Sequence, residues 1–379
     1  MARTHASSAQ EIAIIDGGSF VLPYDHGLVG GLLRQGNRVA FFASRTRYNA
    51  EFLDDLRDTP GVRVLDAAVS GSVAPRWRGV LAYAGLLLKL AQQRQRFHTV
   101  NLQFSVLWPL EMPFWWLLRG QLVFTVHNAV PHGFGGLQHA PTRRIASLAR
   151  QLVFVSAATQ EDFMRRYGEA FRAKAALLPH GLLPIAPGAA PQPVRACAKP
   201  QALVFWGTVK GYKGVELFAE LARSQAWRDS GLALEIHGRW DAELHPLRDE
   251  LSALGVRITD RYLGAAELHT LMQRPVLFAL PYRDASQSGA LYTLLHEGCT
   301  FICADTGDLG AFMRRHALPE LLLTTRSVQA VLAAVNFVRS HAADVAARLQ
   351  AAQQQSAWDR VLANAARIYS APEHSARTA

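Results

Sequence analysis

Cysteine is scarce in this chain: Cys197, Cys299 and Cys303 are the whole supply in 379 residues. None forms a CxxC pair or sits near a histidine at ligand spacing. That pattern excludes a disulfide framework and a zinc site and points to a reducing compartment. Metal and hydrolase signatures are missing as well: no DxD pair, no HExxH helix and no GxSxG elbow. No apolar run reaches the roughly 18–20 residues needed to cross a bilayer. The two longest candidates, residues 79–90 and 106–118, are interrupted by Lys89 or by Pro109, Glu111 and Pro113. The first ten residues are polar, so no secretory signal is expected. The expected location is the cytoplasm, with peripheral attachment to the inner face of the plasma membrane left open. Nucleic-acid modules are absent too. The 40 Lys and Arg outnumber the 30 Asp and Glu, but the arginines are scattered in pairs such as Arg76/Arg78 and Arg143/Arg144. Without a basic cluster and interleaved aromatics, nucleic acid is set aside. An anionic lipid surface or a phosphorylated small molecule remains as the acidic partner.

Half of the residues are apolar and 18% are charged, the balance of a globular protein. The length suits two domains. Glu11–Asp16 reads as a strand, followed by a glycine turn, a helix over 25–35 and a second strand at Arg38–Ala43. This is the opening of a parallel α/β sheet. Further strands are expected near 62–65, 99–103, 121–126, 152–155 and 175–178. Five prolines between Pro184 and Pro200 then break the rhythm and read as a linker. Strands resume at 202–206, 232–237, 256–259, 276–280 and 300–304. The expected organisation is a first Rossmann-like domain over 1–185, a linker over 186–200 and a second such domain over 201–355. Two doubly wound domains of this kind are expected to face a central cleft.

Five segments carry chemistry. Residues 276–298 run from an apolar strand through a polar turn into a helix that opens at Ser288-Gly289. Free amides at a helix start favour an anion, and such turns at strand ends are where α/β sheets bind ligands. The segment is either an ordinary turn or a diphosphate cradle. Phe205-Trp-Gly-Thr-Val-Lys-Gly-Tyr-Lys-Gly214 places Gly207 after a strand with Lys210 and Lys213 beyond it. It lacks the Walker pattern and is either a solvated loop or a second wall around the same diphosphate. Gly17–Gly27 is a glycine loop without GxGxxG. In it Asp25 either caps the following helix or, with His26, orients or deprotonates a hydroxyl. His127-Asn128 directly follows an apolar strand, where a neutral imidazole takes a proton or bonds a sugar hydroxyl. Pro179-His180-Gly181 closes another strand.

Together these motifs resemble the GT-B glycosyltransferases, in particular family 4 and related bacterial exopolysaccharide enzymes. Asp16-Gly-Gly-Ser-Phe with Pro23-Tyr-Asp-His26 is similar to a first loop of a family-4 subgroup. Phe124-Thr-Val-His-Asn128 with Pro131-His132 resembles its TxHNxxPH segment. Phe205-Trp-Gly207 with Tyr212-Lys-Gly214 resembles the donor loop, and Pro281-Tyr-Arg283 with Gln287-Ser-Gly289 a variant of the donor turn. Residues 356–379 look like the last helix of this fold, which crosses back to the first domain. One departure stands out. Many family-4 enzymes carry two glutamates eight positions apart around this turn, where this chain has Ala285 and Thr293, with Asp284 out of register.

The resemblance implies transfer of a sugar from a nucleotide-sugar, which serves as co-substrate, to a hydroxyl, without metal or other cofactor. Gly207, Lys210, Lys213, Asp284, Gln287, Ser288, Gly289 and Thr293 are the candidate donor contacts. His127, Asp25 and Asn128 are the candidate catalytic residues, and Gly18, Ser19, Tyr24, His26 and His132 the candidate acceptor contacts. The donor reads as GDP-mannose and the acceptor as a glycan, lipid-linked, in polysaccharide biosynthesis. The missing glutamates leave open an inactive nucleotide-sugar-binding subunit; a sugar-nucleotide epimerase is a third reading. Residues 76–89 interleave basic and apolar side chains, as either a core helix or an interfacial helix on an anionic membrane would.

Overall fold

The computed structural model describes residues 11–46, 49–69, 75–129, 139–363 and 366–369. The chain divides into two compact units, one of Met1–Gly181 with Trp358–Ala379 and one of Leu182–Ala357.

The first unit holds seven parallel strands: β1 (Glu11–Asp16), β2 (Arg38–Ser44), β3 (Val62–Ala67), β4 (Phe97–Phe104), β5 (Leu122–Val126), β6 (Gln151–Phe154) and β7 (Ala175–Leu177), in the order β3-β2-β1-β4-β5-β6-β7. β1, β2 and β5 are largely apolar because helices cover both faces, while the middle strand β4 carries buried Thr99, Asn101 and Gln103. Between them run α1 (Leu22–Arg34), α2 (Ala50–Asp58), α3 (Arg76–Gln92), α4 (Trp108–Leu118), α5 (His139–Leu148) and α6 (Ala157–Tyr167). One core joins Leu102 and Phe124 of the sheet to Tyr83 of α3, Trp115 of α4, Ile145 of α5 and Phe163 of α6. Ser156 caps α6 by accepting from the Thr159 amide at 3.0 Å.

The second unit repeats the plan with β8 (Ala202–Trp206), β9 (Ala233–His237), β10 (Arg257–Thr259), β11 (Leu277–Leu280), β12 (Phe301–Ala304) and β13 (Leu322–Leu323), ordered β10-β9-β8-β11-β12-β13. Its helices are α7 (Leu217–Arg223), α8 (Gln225–Asp229), α9 (His245–Ala253), α10 (Ala265–Gln273), α11 (Gly289–His296), α12 (Gly307–Arg315), α13 (Val328–Ser340) and α14 (Ala342–Gln355). Every strand foreseen in the sequence is present, within two residues at each end. The two-residue β13 is too short to leave a periodic signal. The proline-rich stretch read as a linker is bonded along this unit. Gln192 donates its amide to the His296 carbonyl at 2.8 Å, and Arg195 to Gly298 at 3.1 Å. The Gln353 side chain donates to the carbonyls of Gln192 and Leu295 at 2.8 and 2.7 Å. Proline removes donors, and among those that remain the amides of Gln192, Val194 and Arg195 are tied to the unit beneath.

The strand order fixes where ligands can go. In each sheet the order reverses between the first and fourth strands, β1/β4 and β8/β11. The loops that diverge there leave a crevice at the carboxyl ends of the strands. Loops 17–21 and 105–107 border it in the first unit, and loops 207–213 and 281–288 in the second.

After the second unit the chain returns as α15 (Trp358–Ala363) and α16 (Ala366–Tyr369). The Trp358 indole lies over Gly27 and Gly181, where an added Cβ would come within 2.0 and 2.4 Å of the ring. Its other neighbour is Tyr24, edge-on at 5.2 Å between centroids. Arg34 Nε pairs with Asp359 at 2.5 Å, and His98 Nε2 bonds the Tyr369 carbonyl at 2.7 Å. Replacing Trp358 with Ala is expected to lower the stability of the first unit by about 3–5 kcal/mol. Denaturant unfolding followed by a first-unit probe checks this, and an unchanged midpoint would show that the slot closes without the indole.

Candidate active site

In the second unit two sequence-distant loops meet. Gly214, with φ of +69°, lies so close to the other loop that a Cβ there would be 2.0 Å from the Pro281 carbonyl oxygen. The Arg283 amide donates to the Tyr212 carbonyl at 2.7 Å. The rings of Tyr212 and Tyr282 stand edge-on at 6.0 Å. Lys213 projects into this junction, its Nζ between 5.5 and 6.0 Å from the ring centres of Tyr282, Phe205 and Tyr212. An added Cβ on Gly207 would lie 3.4 Å from the same Nζ. Among the described residues Lys213 forms no ion pair, and burial lowers its pKa below the usual lysine value. The Tyr282 hydroxyl bonds the Ser288 side chain, and burial pushes its pKa up to about 12.

Ser288 is the N-cap of α11, its Oγ accepting from the Leu291 amide at 3.4 Å. The amides of Gly289 and Ala290, at the helix start, have no carbonyl within the helix to bond. Gln287 Oε1 is buried without a hydrogen-bond partner among the described residues. Gly207, Lys213, Gln287, Ser288 and Gly289 are thus all on the two loops joined through Tyr212 and Tyr282. Thr293 is buried on α11. Asp284 is exposed. Lys210 lines an open cavity of about 690 Å³, with Arg239, Trp240, Asp260 and Tyr262 on its walls. Glu216 holds the outer side of the junction by pairing with Arg283 at 2.6 Å and Arg326 at 3.4 Å.

In the first unit a cavity of about 390 Å³ opens at the ends of β4 and β5. Apolar side chains such as Phe20, Phe104, Val106 and Ile145 line it, and His127 and Asn128 are among its polar groups. His127 Nε2 donates to Gln103 Oε1 at 2.7 Å. Gln103 Nε2 in turn donates to Asn101 Oδ1 at 2.6 Å, and Asn101 Nδ2 to Thr125 Oγ1 at 2.8 Å. This chain of amides fixes the imidazole tautomer, leaving the lone pair on Nδ1, which has no hydrogen-bond partner among the described residues. Burial, and then the nearby His180, lower the His127 pKa to about 3. The ring is therefore neutral at physiological pH, stacked on Phe104 at 4.6 Å.

Glu111 shapes the rim of this cavity. Its buried carboxylate accepts from the amides of Val106 and Leu107, from Ser105 and Tyr83 hydroxyls and from the Trp115 indole, at 2.6–3.1 Å. The loop 105–107 is fixed by these bonds. Neither Gln103 nor Glu111 was foreseen. The one signal for Glu111 is a lone carboxylate in the first turn of an otherwise apolar helix, placed to reach back to the free amides.

The remaining candidates of the first unit lie below or beside the cavity. Asp25 sits inside the first turn of α1, whose N-cap is Val21, so it does not cap the helix. It is buried against Asp16. Burial, and then the Asp16 charge, raise its pKa well above the carboxylate range. Burial raises Asp16 as well, opposed by the Val21 amide, which donates to it at 3.1 Å. Each carboxyl therefore opposes ionisation of the other, and burial favours the protonated form of both. Tyr24 is buried edge-on between His127 and His180, at 5.1 and 4.9 Å. His26 turns to α2, bonding Asp55 at 2.7 Å. Ser19, with φ of +52°, donates its hydroxyl to the Ser44 carbonyl at 2.6 Å and braces the end of β2. An added Cβ on Gly18 would meet the Phe20 ring at 2.3 Å. His132 lies outside the described residues.

The raised pKa of Asp25 makes a directional prediction. A carboxyl that keeps its proton on folding contributes stability below its unfolded pKa and loses it as pH rises through the folded value. Asp25→Asn, neutral at every pH, is expected to flatten that decline in urea unfolding measured across pH. Equal slopes in both proteins would overturn the assignment.

The profile of Glycosyltransferase Family 4 matches residues 26–182. No curated protein matches the chain by sequence. Among solved structures, the catalytic domain of starch synthase IV from Arabidopsis thaliana, bound to ADP and acarbose, shares the fold at a TM-score of 0.68, with 14% identity over 96% of this chain and 99% of that one. Sucrose-phosphate synthase from Thermosynechococcus elongatus does so at 0.65, with 16% identity over 95% and 98%. HepE of Anabaena, solved with UDP and glucose, does so at 0.62, with 15% identity over 95% and 98%. The chain has the GT-B fold of the glycosyltransferases, and its residues 26–182 carry the family-4 sequence pattern.

Proposed function

We propose that this protein transfers a sugar from a nucleotide-sugar to a hydroxyl group. The observation that carries the reading is the junction of loops 207–214 and 281–288, where the Lys213 ammonium sits among three aromatic rings. A half-buried ammonium with no ion pair is costly unless an anion completes it. A diphosphate supplies that anion, with the free amides at the start of α11 as further donors. The leaving nucleoside diphosphate gains negative charge as its bond to the sugar breaks. Fixed donors of this kind act on that developing charge. The relatives solved with UDP and with ADP support a nucleoside diphosphate as the ligand class.

The acceptor hydroxyl is assigned to the cavity of the first unit. There His127, held in its tautomer by Gln103, is the residue assigned to orient the hydroxyl. Tyr24 packs edge-on against that ring, and Asp25, the next residue of the same helix turn, is read as a catalytic residue acting through it. We read the donor as GDP-mannose and the acceptor as a growing lipid-linked glycan of bacterial polysaccharide assembly, worked on at the inner face of an anionic membrane. The support for these finer assignments is the likeness of the His127–His132 and Tyr212–Gly214 segments to exopolysaccharide enzymes. The reaction is read as metal-free, with Lys213 and the helix amides in place of a cation. One observation favours a second reading, a subunit that binds nucleotide-sugar without turning it over: buried Ala285 and Thr293 stand where family-4 enzymes carry glutamates.

A panel of nucleotide-sugars, followed by nucleotide release, separates the two. Slow hydrolysis of one donor supports transfer, and binding without release supports the second reading. Lys213→Ala is expected to weaken donor binding roughly 10- to 150-fold, the worth of a charge-assisted phosphate contact of about 1.5–3 kcal/mol. Unchanged affinity in calorimetry removes Lys213 from the site. His127→Ala is expected to lower kcat by about tenfold or more while donor affinity holds. Preserved turnover would make His127 a packing residue.

A further inference from the structure

Two neighbouring helices on one side of the first sheet, α3 and α4, are apolar on both faces. Along α3, Tyr83, Leu86, Leu87 and Leu90 point into the core. The opposite stripe, Trp77, Leu81, Ala84 and Leu88, recurs at helical spacing and faces outward. Trp77 is 61% exposed and Leu81 64%. The helix α4, packed against α3, repeats the pattern, with Trp116 59% exposed beside exposed Leu117. A chain ending its interactions here would leave these side chains inside. Contiguous apolar patches on a folded surface mark a contact with something else.

The charges of the same helices are all of one sign. Arg76, Arg78 and Lys89 flank the α3 stripe, Arg119 follows α4, and Arg143 and Arg144 are exposed on α5. The single carboxylate in α3, α4 and α5 is Glu111, which is fully buried. Both exposed tryptophans lie under an arginine, Trp77 with Arg78 at 5.1 Å and Trp116 with Arg119 at 4.4 Å. Between α4 and α5 runs an open groove of about 650 Å³, with Pro109, Met112 and Trp116 on one wall and Arg143 and Arg144 on the other.

We propose that α3, α4 and α5 form a docking face for an anionic lipid bilayer, with Trp77, Leu81, Trp116 and Leu117 entering the headgroup region and the flanking arginines pairing with lipid phosphates. Each feature suits that occupant. Indole rings favour the boundary between headgroups and acyl chains, and their arginine partners carry the charge outward to phosphate. Cations next to a negatively charged surface each add to the attraction, and there is no exposed carboxylate on these helices to oppose it. No helix among the described residues is long and apolar enough to cross a membrane, so the contact is one of a face lying on the surface. A second copy of this chain is the poorer fit, because a two-fold contact through this face would set like charges against one another. The proposal shares the membrane setting of the function proposed above, but its evidence is independent of the donor site.

Flotation of the full chain with vesicles tests it. Binding is expected to vesicles of phosphatidylglycerol and phosphatidylcholine at low salt, to weaken at high salt, and to be absent with phosphatidylcholine alone. Arg143→Gln with Arg144→Gln changes only exposed side chains and is expected to lower partitioning roughly 30-fold. Trp77→Ser with Trp116→Ser is expected to abolish the blue shift of tryptophan emission on binding. Nucleotide-sugar binding, measured on the same variants by calorimetry, is expected to stay at the level of the unaltered protein. If the transfer reading is wrong, flotation persists without it; if the face is wrong, donor binding persists without flotation. No flotation on anionic vesicles overturns the proposal, as does equal binding to neutral ones. A dimer in sedimentation that the tryptophan variant dissociates reassigns the face to self-association and overturns it too.

Discussion

One indole ring fills the space that two missing side chains leave. Trp358 can lie flat over Gly27 and Gly181 only because neither carries a Cβ, and in that position it closes one side of Tyr24. Tyr24 then has one orientation available, edge-on to both His127 and His180. The imidazole at the floor of the cavity is therefore positioned by packing from below as well as by Gln103 from the side. An aromatic cluster of this kind depends on close fit more than on area, because small gaps forfeit much of the dispersion attraction. The glycine turns that begin α1 and end the first unit act at a distance: they admit the ring that orders the histidines.

Three buried ionisable groups show how charge is used differently in the two units. Glu111 is ringed by five donors, which is a structural solution: its charge is answered inside the protein and it fixes a loop. Asp25 is answered by a raised pKa, set first by burial and then by the Asp16 carboxyl beside it. Lys213 has neither solution. Aromatic faces lessen the cost of its charge without cancelling it. The group whose charge is left unanswered is the one to which a ligand is assigned.

The fold was legible because most parallel strands covered on both faces are largely apolar, and many end in glycine or polar residues. The runs at Ile12–Ile15, Phe41–Ala43 and Ala202–Phe205 leave no other reading. The loops that hold Lys213 and Ser288 were legible for the same reason, since each begins where a strand ends. What the sequence withheld is direction. Whether His26 turns to the crevice or to Asp55, and whether Lys210 joins Lys213 or a neighbouring cavity, depends on side-chain geometry that spacing does not encode. Gln103 was hidden because a polar residue within a strand has no periodic signature. The bonding of the strap at 184–200 was also hidden: proline content signals an extended chain, and says nothing of whether that chain is bonded to a neighbour.

The path of the backbone has a consequence for synthesis. The ribosome must pass through the whole of residues 182–357 before it delivers Trp358 to a slot formed by residues made much earlier. Throughout that interval the slot beside Tyr24 has no indole to close it. The nascent chain thus carries an unsealed aromatic surface for the time needed to translate an entire second unit, a window in which holdase chaperones or mispairing compete for it. An isolated fragment ending at Gly181 would remain in that state permanently.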